Sequence, residues 1–402
     1  MKILIYGINY TPELTGIGKY TGEMGAWLAS QGQQVDVITA PPYYPEWNVH
    51  TSYKGKLWHT ENVSGATVHR CPLYVPKKVS GMKRILHEIS FGVSSSLFWF
   101  RKLFIHYDII FTPYPPLIIG VWPWMYKWFH PKAKWIFHIQ DLQVDAAKEL
   151  HLIKNKTLLS IFENTEKFWL KKATIVSSIS EGMKARILKK GVPASKYLMI
   201  PNWADTDFIQ PLPANESLRA EFNISPETKV IMYSGNLGEK QGVEIIPDLA
   251  IAMPEYHFLI AGEGASKTRL QEAIKEKGIK NIQFVSLQPY SKLPNFLATA
   301  NVHLVLQKKS AADLVLPSKF ITLLSAGATS VVTAEPGTSL YDIVVDNQTA
   351  YLCEPENLGA LIQSIKNAIN EVNPDIPQNA RNYALAHLNK HAILKRVFGE
   401  LV

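Results

Sequence analysis

The sequence predicts an α/β protein built from two doubly wound domains, each a parallel sheet with helices on both faces. Three observations predict it. The chain has 402 residues, 47% hydrophobic and only 19% charged, too long for one ordinary core and apolar enough to fill two. Short β-branched or aromatic runs recur along it, separated by segments of helix length, and such alternation belongs to parallel sheets covered on both faces. The series also runs twice, with the proline-containing stretch Gln210-Pro-Leu-Pro213 as the natural linker.

In the first series the expected strands are Lys2–Tyr6, Gln34–Thr39, Val68–Cys71, Asp108–Thr112, Lys134–His138, Thr174–Ser178 and Leu198–Asn202. In the second they are Lys229–Ser234, Tyr256–Gly262, Asn281–Val285, Val302–Leu306, Thr329–Thr333 and Thr349–Leu352. The expected domains are residues 1–208 and 209–377. Residues 378–402 follow the break Asn373-Pro-Asp-Ile-Pro377 and keep helical spacing, so they form a last helix that can pack back on the first domain.

Two stretches invite a membrane reading and fail it. The apolar start Met1–Tyr6 stops too soon for a signal peptide and is a first strand. The run from Ile109 to Phe129 is interrupted by Pro113, Pro115, Pro116 and Pro123, and lipid-exposed backbone cannot leave polar groups unpaired. It reads as strand, proline loop and amphipathic helix. Cys71 and Cys353, the two cysteines, fit neither a disulfide framework nor a zinc pattern, which suits a reducing compartment. The net charge of +8 favours anionic partners: nucleotides, phospholipid headgroups or nucleic acid. No basic run interleaved with aromatics tracks a strand, so nucleic acid is not expected.

Ligands of open parallel sheets sit beyond the carboxyl ends of the strands, and two such sheets facing each other would make a cleft. The stretch Val230 to Glu244 has that character. Val230–Tyr233 is a buried-strand run, Gly235, Gly238 and Gly242 let backbone approach a ligand, and Lys240 adds a cation. A helix starting there would offer its unpaired N–H groups to a phosphate. An ordinary βα turn is the alternative. Pro317-Ser-Lys319 precedes the helical run Phe320–Ala326, placing Ser318 at an N-cap and Lys319 in the first turn. There a cation opposes the helix dipole unless an anion is bound.

Gly16-Ile-Gly-Lys-Tyr-Thr-Gly22 lies too far behind its strand, and lacks the acidic residue ending the next strand, to be a dinucleotide fingerprint. Gly16 and Gly18 can still open a helix toward a phosphate. Asp205-Thr-Asp207 could hold a metal; its place at a strand end entering a linker favours capping or hinge hydrogen bonds, and no metal is expected. His138, Asp141 and Asp145 gather an imidazole and two carboxylates at a strand's carboxyl end, as a catalytic cluster would.

Together with Ile200-Pro-Asn-Trp-Ala-Asp205 and Ala261-Gly-Glu-Gly264, this layout resembles the GT-B glycosyltransferases of family 4 over the whole chain. Four stretches resemble the colanic-acid type of exopolysaccharide-assembly enzymes within it: Tyr10-Thr-Pro-Glu-Leu-Thr-Gly-Ile-Gly-Lys19, Thr39-Ala-Pro-Pro-Tyr-Tyr-Pro45, Ser234-Gly-Asn-Leu-Gly238 with Gln241-Gly242, and Leu316-Pro-Ser-Lys319. The resemblance implies transfer of a sugar from a GDP- or UDP-linked donor, a substrate rather than a cofactor, to a lipid-linked saccharide. It further implies metal-independent, retaining chemistry in which the leaving phosphate helps deprotonate the acceptor. By position, Gly16, Gly18, Gly337 and Thr338 would line the donor phosphates, Gly262 to Gly264 and Gln288-Pro289 the base, and His138 the sugar and acceptor, with Asp141 beside it.

The sequence departs from that family at Asn236 and Gln241, where an Arg and a Lys are usual, and Asp313 or Leu314 and Thr322 stand where a glutamate pair is usual. Lys319 is the candidate to take over the diphosphate. A sugar-nucleotide 2-epimerase of the same fold and a non-enzymatic two-lobed sugar-binding protein are the competing readings. The first would convert its donor with no acceptor; the second would bind free sugar.

A lipid-linked acceptor places the enzyme, peripherally, on the inner face of the cytoplasmic membrane. Helical register from Met82 gives one apolar stripe, Met82, Ile85, Leu86, Ile89, Val93, Leu97, Phe100 and Phe104, expected in the core. A second, Phe91, Phe98 and Ile105 with Trp99 beside it, is expected at an anionic membrane surface, flanked by Lys83, Arg84, Arg101 and Lys102 and by the aromatics Trp122, Trp124, Trp128 and Phe129 with Lys127.

Overall fold

Buried apolar runs pair side by side into two sheets in this computed structural model, which describes residues 1–13, 16–78, 80–149, 153, 155–311, 317–371 and 373–399. Leu14 and Thr15 of the first glycine motif, and Asp313, Leu314 and Leu316, lie outside the described residues. The chain divides into two units, Met1–Pro201 with the residues from Leu394 on, and Asn202–Ile393.

The first unit's strands are β1 (Lys2–Tyr6), β2 (Gln34–Thr39), β3 (His59–Val63), β4 (Ala66–Arg70), β5 (Ile109–Tyr114), β6 (Lys134–Ile139), β7 (Ile175–Ser178) and β8 (Tyr197–Met199), in the order β3-β4-β2-β1-β5-β6-β7-β8. Pairing is parallel except in the β3–β4 hairpin. The sequence reading missed β3 because His-Thr-Glu-Asn-Val is a polar edge strand with no apolar run. Its signal was the two-residue turn Ser64-Gly65, where both residues have positive φ, as a tight hairpin requires.

The second unit's strands are β9 (Val230–Ser234), β10 (His257–Ala261), β11 (Ile282–Val285), β12 (Val302–Val305), β13 (Ser330–Thr333) and β14 (Tyr351–Cys353), ordered β11-β10-β9-β12-β13-β14 and all parallel. Strand order reverses between β9 and β12, and in the first unit between β1 and β5. At such a point the two adjoining connections leave on opposite faces and open a crevice for a ligand.

Helices α1 (Gly16–Ser30), α2 (Gly81–Ser94), α3 (Ser96–Lys102), α4 (Val121–Phe129), α5 (Gln143–Glu149), α6 (Lys156–Lys172) and α7 (Glu181–Lys189) belong to the first unit. The second carries α8 (Ile246–Ala252), α9 (Lys267–Glu276), α10 (Leu293–Leu297), α11 (Ser318–Ser325), α12 (Ser339–Asn347), α13 (Leu358–Asn370) and α14 (Asp375–Tyr383). A last helix, α15 (Lys390–Gly399), starts in the second unit and ends in the first, where the Phe398 ring meets Trp27 of α1 at 6.4 Å. Residues 109–129 form β5, a 3-10 turn and α4. No helix among the described residues is long and apolar enough to cross a membrane.

Residues 202–208 fall in the second unit, not the first, and Gln210–Pro213 is no linker. Polar anchoring decides this. Arg381 donates to the carbonyls of Thr206, Ile209 and Ser325, and Lys390 donates to Asp205 at 2.8 Å. Asp205 also accepts from the Phe208 N–H three residues on, a local bond of the capping kind.

The two stripes of α2 and α3 are placed the other way round from the expectation. Phe91 and Trp99 are 0% exposed and Phe98 6%, whereas Met82 is 72% exposed, Val93 66%, Phe100 56% and Phe104 89%. Aromatic rings bring about 150–250 Å² each to a core, and the sheet offers them partners: Tyr6 of β1 stacks on Phe91 and meets the edge of Trp99. Lys102 is not a surface cation either, since it pairs with Asp36 at 2.8 Å.

Candidate active-site residues

In the second unit, Gly235 follows β9 with φ of +143°, donates its N–H to the Ala261 carbonyl, and leads into Leu237, whose N–H reaches the Glu263 carbonyl at 2.8 Å. The loops after β9 and β10 are therefore laced together. A Cβ on Gly262 would land on the Gly235 carbonyl oxygen, and one on Gly264 would meet the Leu237 carbonyl oxygen at 2.5 Å and Asn236 Oδ1 at 2.6 Å. These two glycines are needed for loop packing. Asn236 itself lies against Gly264, its carbonyl accepting from the Tyr233 hydroxyl.

The expected helix does not start at the glycines. Lys240 and Gln241 lie in a 3-10 turn, Gly242 turns left-handed at φ of +67°, a second 3-10 turn follows, and α8 begins only at Ile246. Lys240 contributes its carbonyl to the Lys308 N–H. The side-chain oxygen of Gln241 is buried with no hydrogen-bond partner among the described residues. Backbone curvature, rather than an α-helix end, is what this turn presents.

Lys319 sits where the sequence puts it, in the first turn of α11, although Pro317 and not Ser318 is the N-cap. Its ammonium nitrogen is buried, has no hydrogen-bond partner among the described residues, and stands 3.8 Å from the centroid of the Tyr233 ring. Its Cδ lies 3.4 Å from where a Gly235 Cβ would be. Burial pulls its pKa down to about 7. A buried cation with no partner among the described residues costs several kcal/mol, which is the physical cause of the lowered pKa.

Thr338 caps α12, accepting from the Tyr341 N–H and donating to the Glu335 carbonyl, while Gly337 has φ of +80° and nothing within 4 Å of its missing Cβ. Gln288 and Pro289 form the turn after β11, with Gln288 bonded to the Ser286 carbonyl. The sequence reading missed Lys308, which pairs with Glu244, and Lys309, which pairs with Glu335 and Glu354. Their position just after β12, beside the switch point, was the available signal.

In the first unit, α1 starts at Gly16, whose φ is +59°. Gly18 is required by a residue the sequence reading overlooked: its absent side chain leaves room for Glu13. Glu13 is 5% exposed; it accepts from the backbone N–H groups of Tyr43 and Tyr44 and from Asn9, and burial raises its carboxyl pKa. One carboxylate thus holds the loop after β2 to the loop after β1.

His138, at the end of β6, is buried. Its Nδ1 meets the Ser177 hydroxyl at 2.9 Å and its Nε2 meets the Gln140 amide nitrogen at 2.8 Å. Burial drops its pKa to about 3, so it is a neutral imidazole whose Nε2 accepts from Gln140. Asp141 lies in the next loop, and its charge reaches the hydroxyls of Tyr44 and Tyr114. Asp145 is not with them: on α5 it pairs with Lys190, which also pairs with the buried Glu166, whose other oxygen accepts from Tyr114. Arg84 and Glu88 of α2 pair at 3.4 Å, and Glu88 also bonds Gln143.

The glycosyl transferase 4-like domain family matches residues 15–203, and the glycosyl transferases group 1 family matches residues 214–386. A curated relative, the putative colanic acid biosynthesis glycosyl transferase WcaI of Escherichia coli K12, is 40% identical over 424 aligned positions covering all of both chains. The probable glycosyltransferase WbjE of Pseudomonas aeruginosa is 25% identical over 58% of this chain and 59% of its own length. Among solved structures, sucrose-phosphate synthase of Thermosynechococcus elongatus superposes with a TM-score of 0.76 at 19% identity, covering 99% of this chain and 98% of that one. The lipopolysaccharide-biosynthesis glycosyltransferase WaaG superposes with a TM-score of 0.68 at 12% identity, covering 100% and 99%. Two doubly wound units, a glycine turn at the second one's switch point and family matches across both make the assignment: the chain belongs to the group 1 glycosyltransferases and is a glycosyltransferase of GT-B fold.

Proposed function

We propose that the enzyme moves a hexosyl group from a GDP- or UDP-linked donor to a lipid-linked saccharide, in assembly of an exopolysaccharide of the colanic-acid kind, on the inner face of the cytoplasmic membrane. The observation that carries the donor half is the buried Lys319 ammonium beside the Gly235 turn, without a hydrogen-bond partner among the described residues. The full-length relative at 40% identity supports the pathway.

In this reading Lys319, with the backbone of Gly235 and Asn236, holds the diphosphate where the family uses its Arg and Lys. Lys240, Gln241, Ser318, Gly337 and Thr338 lie around the phosphates, and Gly262, Gly264, Gln288 and Pro289 around the base. In the first unit Gly16 and Gly18 open α1, whose start can face a phosphate. His138 and Asp141 serve the sugar and the acceptor. His138 is neutral and its Nε2 lone pair is held by Gln140, so it acts by hydrogen bonding after Gln140 swings away, not as an acid. The anomeric carbon's bond to the leaving phosphate oxygen breaks, the acceptor oxygen bonds to that carbon on the same face, and the acceptor proton passes to the phosphate. No metal is invoked.

Family membership disfavours the sugar-binding protein, and a 2-epimerase would need acid/base carboxylates around the donor sugar. A thermal-shift screen of GDP, UDP, dTDP and their sugars tests the proposal, because a ligand of the folded state raises its stability by mass action. One nucleotide series should shift the wild type, and Lys319→Ala should lose most of that shift. A lysine–phosphate bond contributes about 1.5–3 kcal/mol, which is about one to two orders of magnitude in affinity. An unchanged shift in Lys319→Ala overturns the donor assignment.

A further inference from the structure

Helices α2 and α3 are joined through Ser95 into a nearly continuous rod from Gly81 to Lys102, about 33 Å long at 1.5 Å per residue. Their buried face is aromatic. The opposite face carries Met82, Leu86, Ile89, Val93, Leu97 and Phe100 at 42–72% exposure, and Phe104 continues it just beyond α3 at 89%. Single exposed apolar residues are ordinary, but an unbroken row of this length marks an interaction surface. Next to it, α4 packs on α3 through Trp122 and Phe100, whose rings are 5.6 Å apart, and ends in Trp128 and Phe129, both more than 60% exposed.

Charge says what covers this face. From Gly81 to Phe104 the sequence has four cations, Lys83, Arg84, Arg101 and Lys102, and one carboxylate, Glu88. Lys102 is buried against Asp36, and Glu88 is mostly buried and paired with Arg84. Lys83 and Arg101 remain at the surface, one near each end of the rod, and the exposed Lys132, Lys171 and Lys172 lie on the segments that follow α4 and end α6. An apolar stripe edged by cations, with tryptophan beside it, matches the layering of a leaflet whose headgroups are anionic and whose interior is apolar. A second protein copy would have to supply carboxylates along both edges, and its own copy of this face supplies cations.

We infer that the exposed face of α2 and α3, with the end of α4, lies in the headgroup layer of an anionic phospholipid bilayer, its apolar row reaching the acyl boundary. This deepens the membrane reading of the acceptor and rests on it. The buried side of the same helix adjoins the candidate acceptor residues. His87 packs on the Tyr43 and Trp47 rings at 4.7 and 5.2 Å, and Glu88 bonds Gln143 of α5. One helix therefore has lipid on one side and the carboxyl edge of the first sheet on the other, where a saccharide anchored in that lipid would arrive.

The test is flotation of the full-length protein with vesicles of phosphatidylcholine alone and of phosphatidylcholine with one third phosphatidylglycerol, at low and high salt. Two variants are compared: Leu86→Ser with Ile89→Ser, Val93→Ser and Phe100→Ser, and Lys83→Ser with Arg101→Ser. Nucleotide-induced thermal shift in each variant reports that the fold and donor site persist. The wild type should bind the anionic vesicles and only weakly the neutral ones. Salt should reduce binding without abolishing it, and each variant should lose at least tenfold in vesicle affinity while keeping its nucleotide response. Should the apolar variant float as the wild type does, this face is not the one in the membrane, although binding through another surface would leave the acceptor reading intact. Absence of binding by the wild type overturns both. A wild-type dimer in sedimentation that the apolar variant makes monomeric, with no vesicle binding, assigns the face to a second copy and overturns the inference.

Discussion

The ammonium nitrogen of Lys319 stands 3.8 Å from the centroid of the Tyr233 ring and has no hydrogen-bond partner among the described residues. The ring's negative face attracts that nitrogen, and a desolvated contact of this kind contributes about 2 kcal/mol or more. Burial wins, holding the pKa at about 7 against an ordinary 10.5.

Nucleotide binding should therefore depend on pH. A diphosphate favours the charged amine and raises its pKa, so above pH 7 binding must take up a proton and affinity should fall by up to about tenfold per pH unit. Below pH 7 the amine is already charged and the dependence from this group vanishes. Calorimetry with UDP or GDP at pH 6.5 and 8.5, in two buffers of different ionisation enthalpy, would read the proton directly. Equal affinity at both values would refute the coupling, and Lys319→Arg should remove it.

Gly262→Ala should destabilise the second unit by about 1–3 kcal/mol, the usual cost of forcing extra atoms into a packed site. Its Cβ has nowhere to go except onto the Gly235 carbonyl oxygen. The substitution should also weaken nucleotide binding, since the Gly235 turn must shift. Urea unfolding and a nucleotide titration measure the two effects; a neutral variant would mean that the two loops are not laced as described.

Glu13→Ala should release the loop after β2. Three donors, the N–H groups of Tyr43 and Tyr44 and the Asn9 amide, lose their acceptor, at about 1–3 kcal/mol for each that stays buried and unsatisfied. Water entering the space limits the loss, so a total of about 2–4 kcal/mol is expected, with transfer activity falling more than nucleotide affinity. Hydrogen exchange at Tyr43 and Tyr44 should speed up; unchanged exchange there would exclude the role.

Acid should destabilise the fold through its buried histidines. Burial holds His138 at about 3 and His303 at about 4, both below the ordinary 6.5. The unfolded chain then binds protons that the folded chain refuses, and stability falls as pH drops below 6.5, by about 1.4 kcal/mol per pH unit for each imidazole. The His303 contribution levels off near pH 4 and that of His138 near pH 3. Unfolding free energies of wild type and His138→Gln at pH 6.5, 5.5 and 4.5 should diverge, with the variant showing the shallower slope. Parallel slopes would mean that His138 is solvated.

Much of this molecule was legible without coordinates, for reasons particular residues make plain. Strands such as Lys2–Tyr6 and Val230–Ser234 are buried on both faces, so each declares itself as an apolar run without reference to a partner, and the alternation with helices dictates parallel pairing. Gly235 and Lys319 were recognisable because a turn behind a strand and a lysine in a helix's first turn are local facts. His59–Val63 was not, because a polar edge strand exists only through its neighbour.

What the sequence by itself determined, then, is the two-sheet plan and the Gly235 turn behind its strand; what only the tertiary structure decided is which surfaces are spent. Periodicity finds two apolar faces on α2 and α3 but cannot rank them, since the choice depends on Tyr6 arriving from β1 to stack on Phe91. Charge patterning counts Lys102 among the surface cations until Asp36, on β2, neutralises it. Glu13 looks like any loop carboxylate until three donors from two loops converge on it. Local preference is set within a few residues of chain, whereas burial, pairing and the pKa of a group such as Lys319 depend on atoms that only folding brings near.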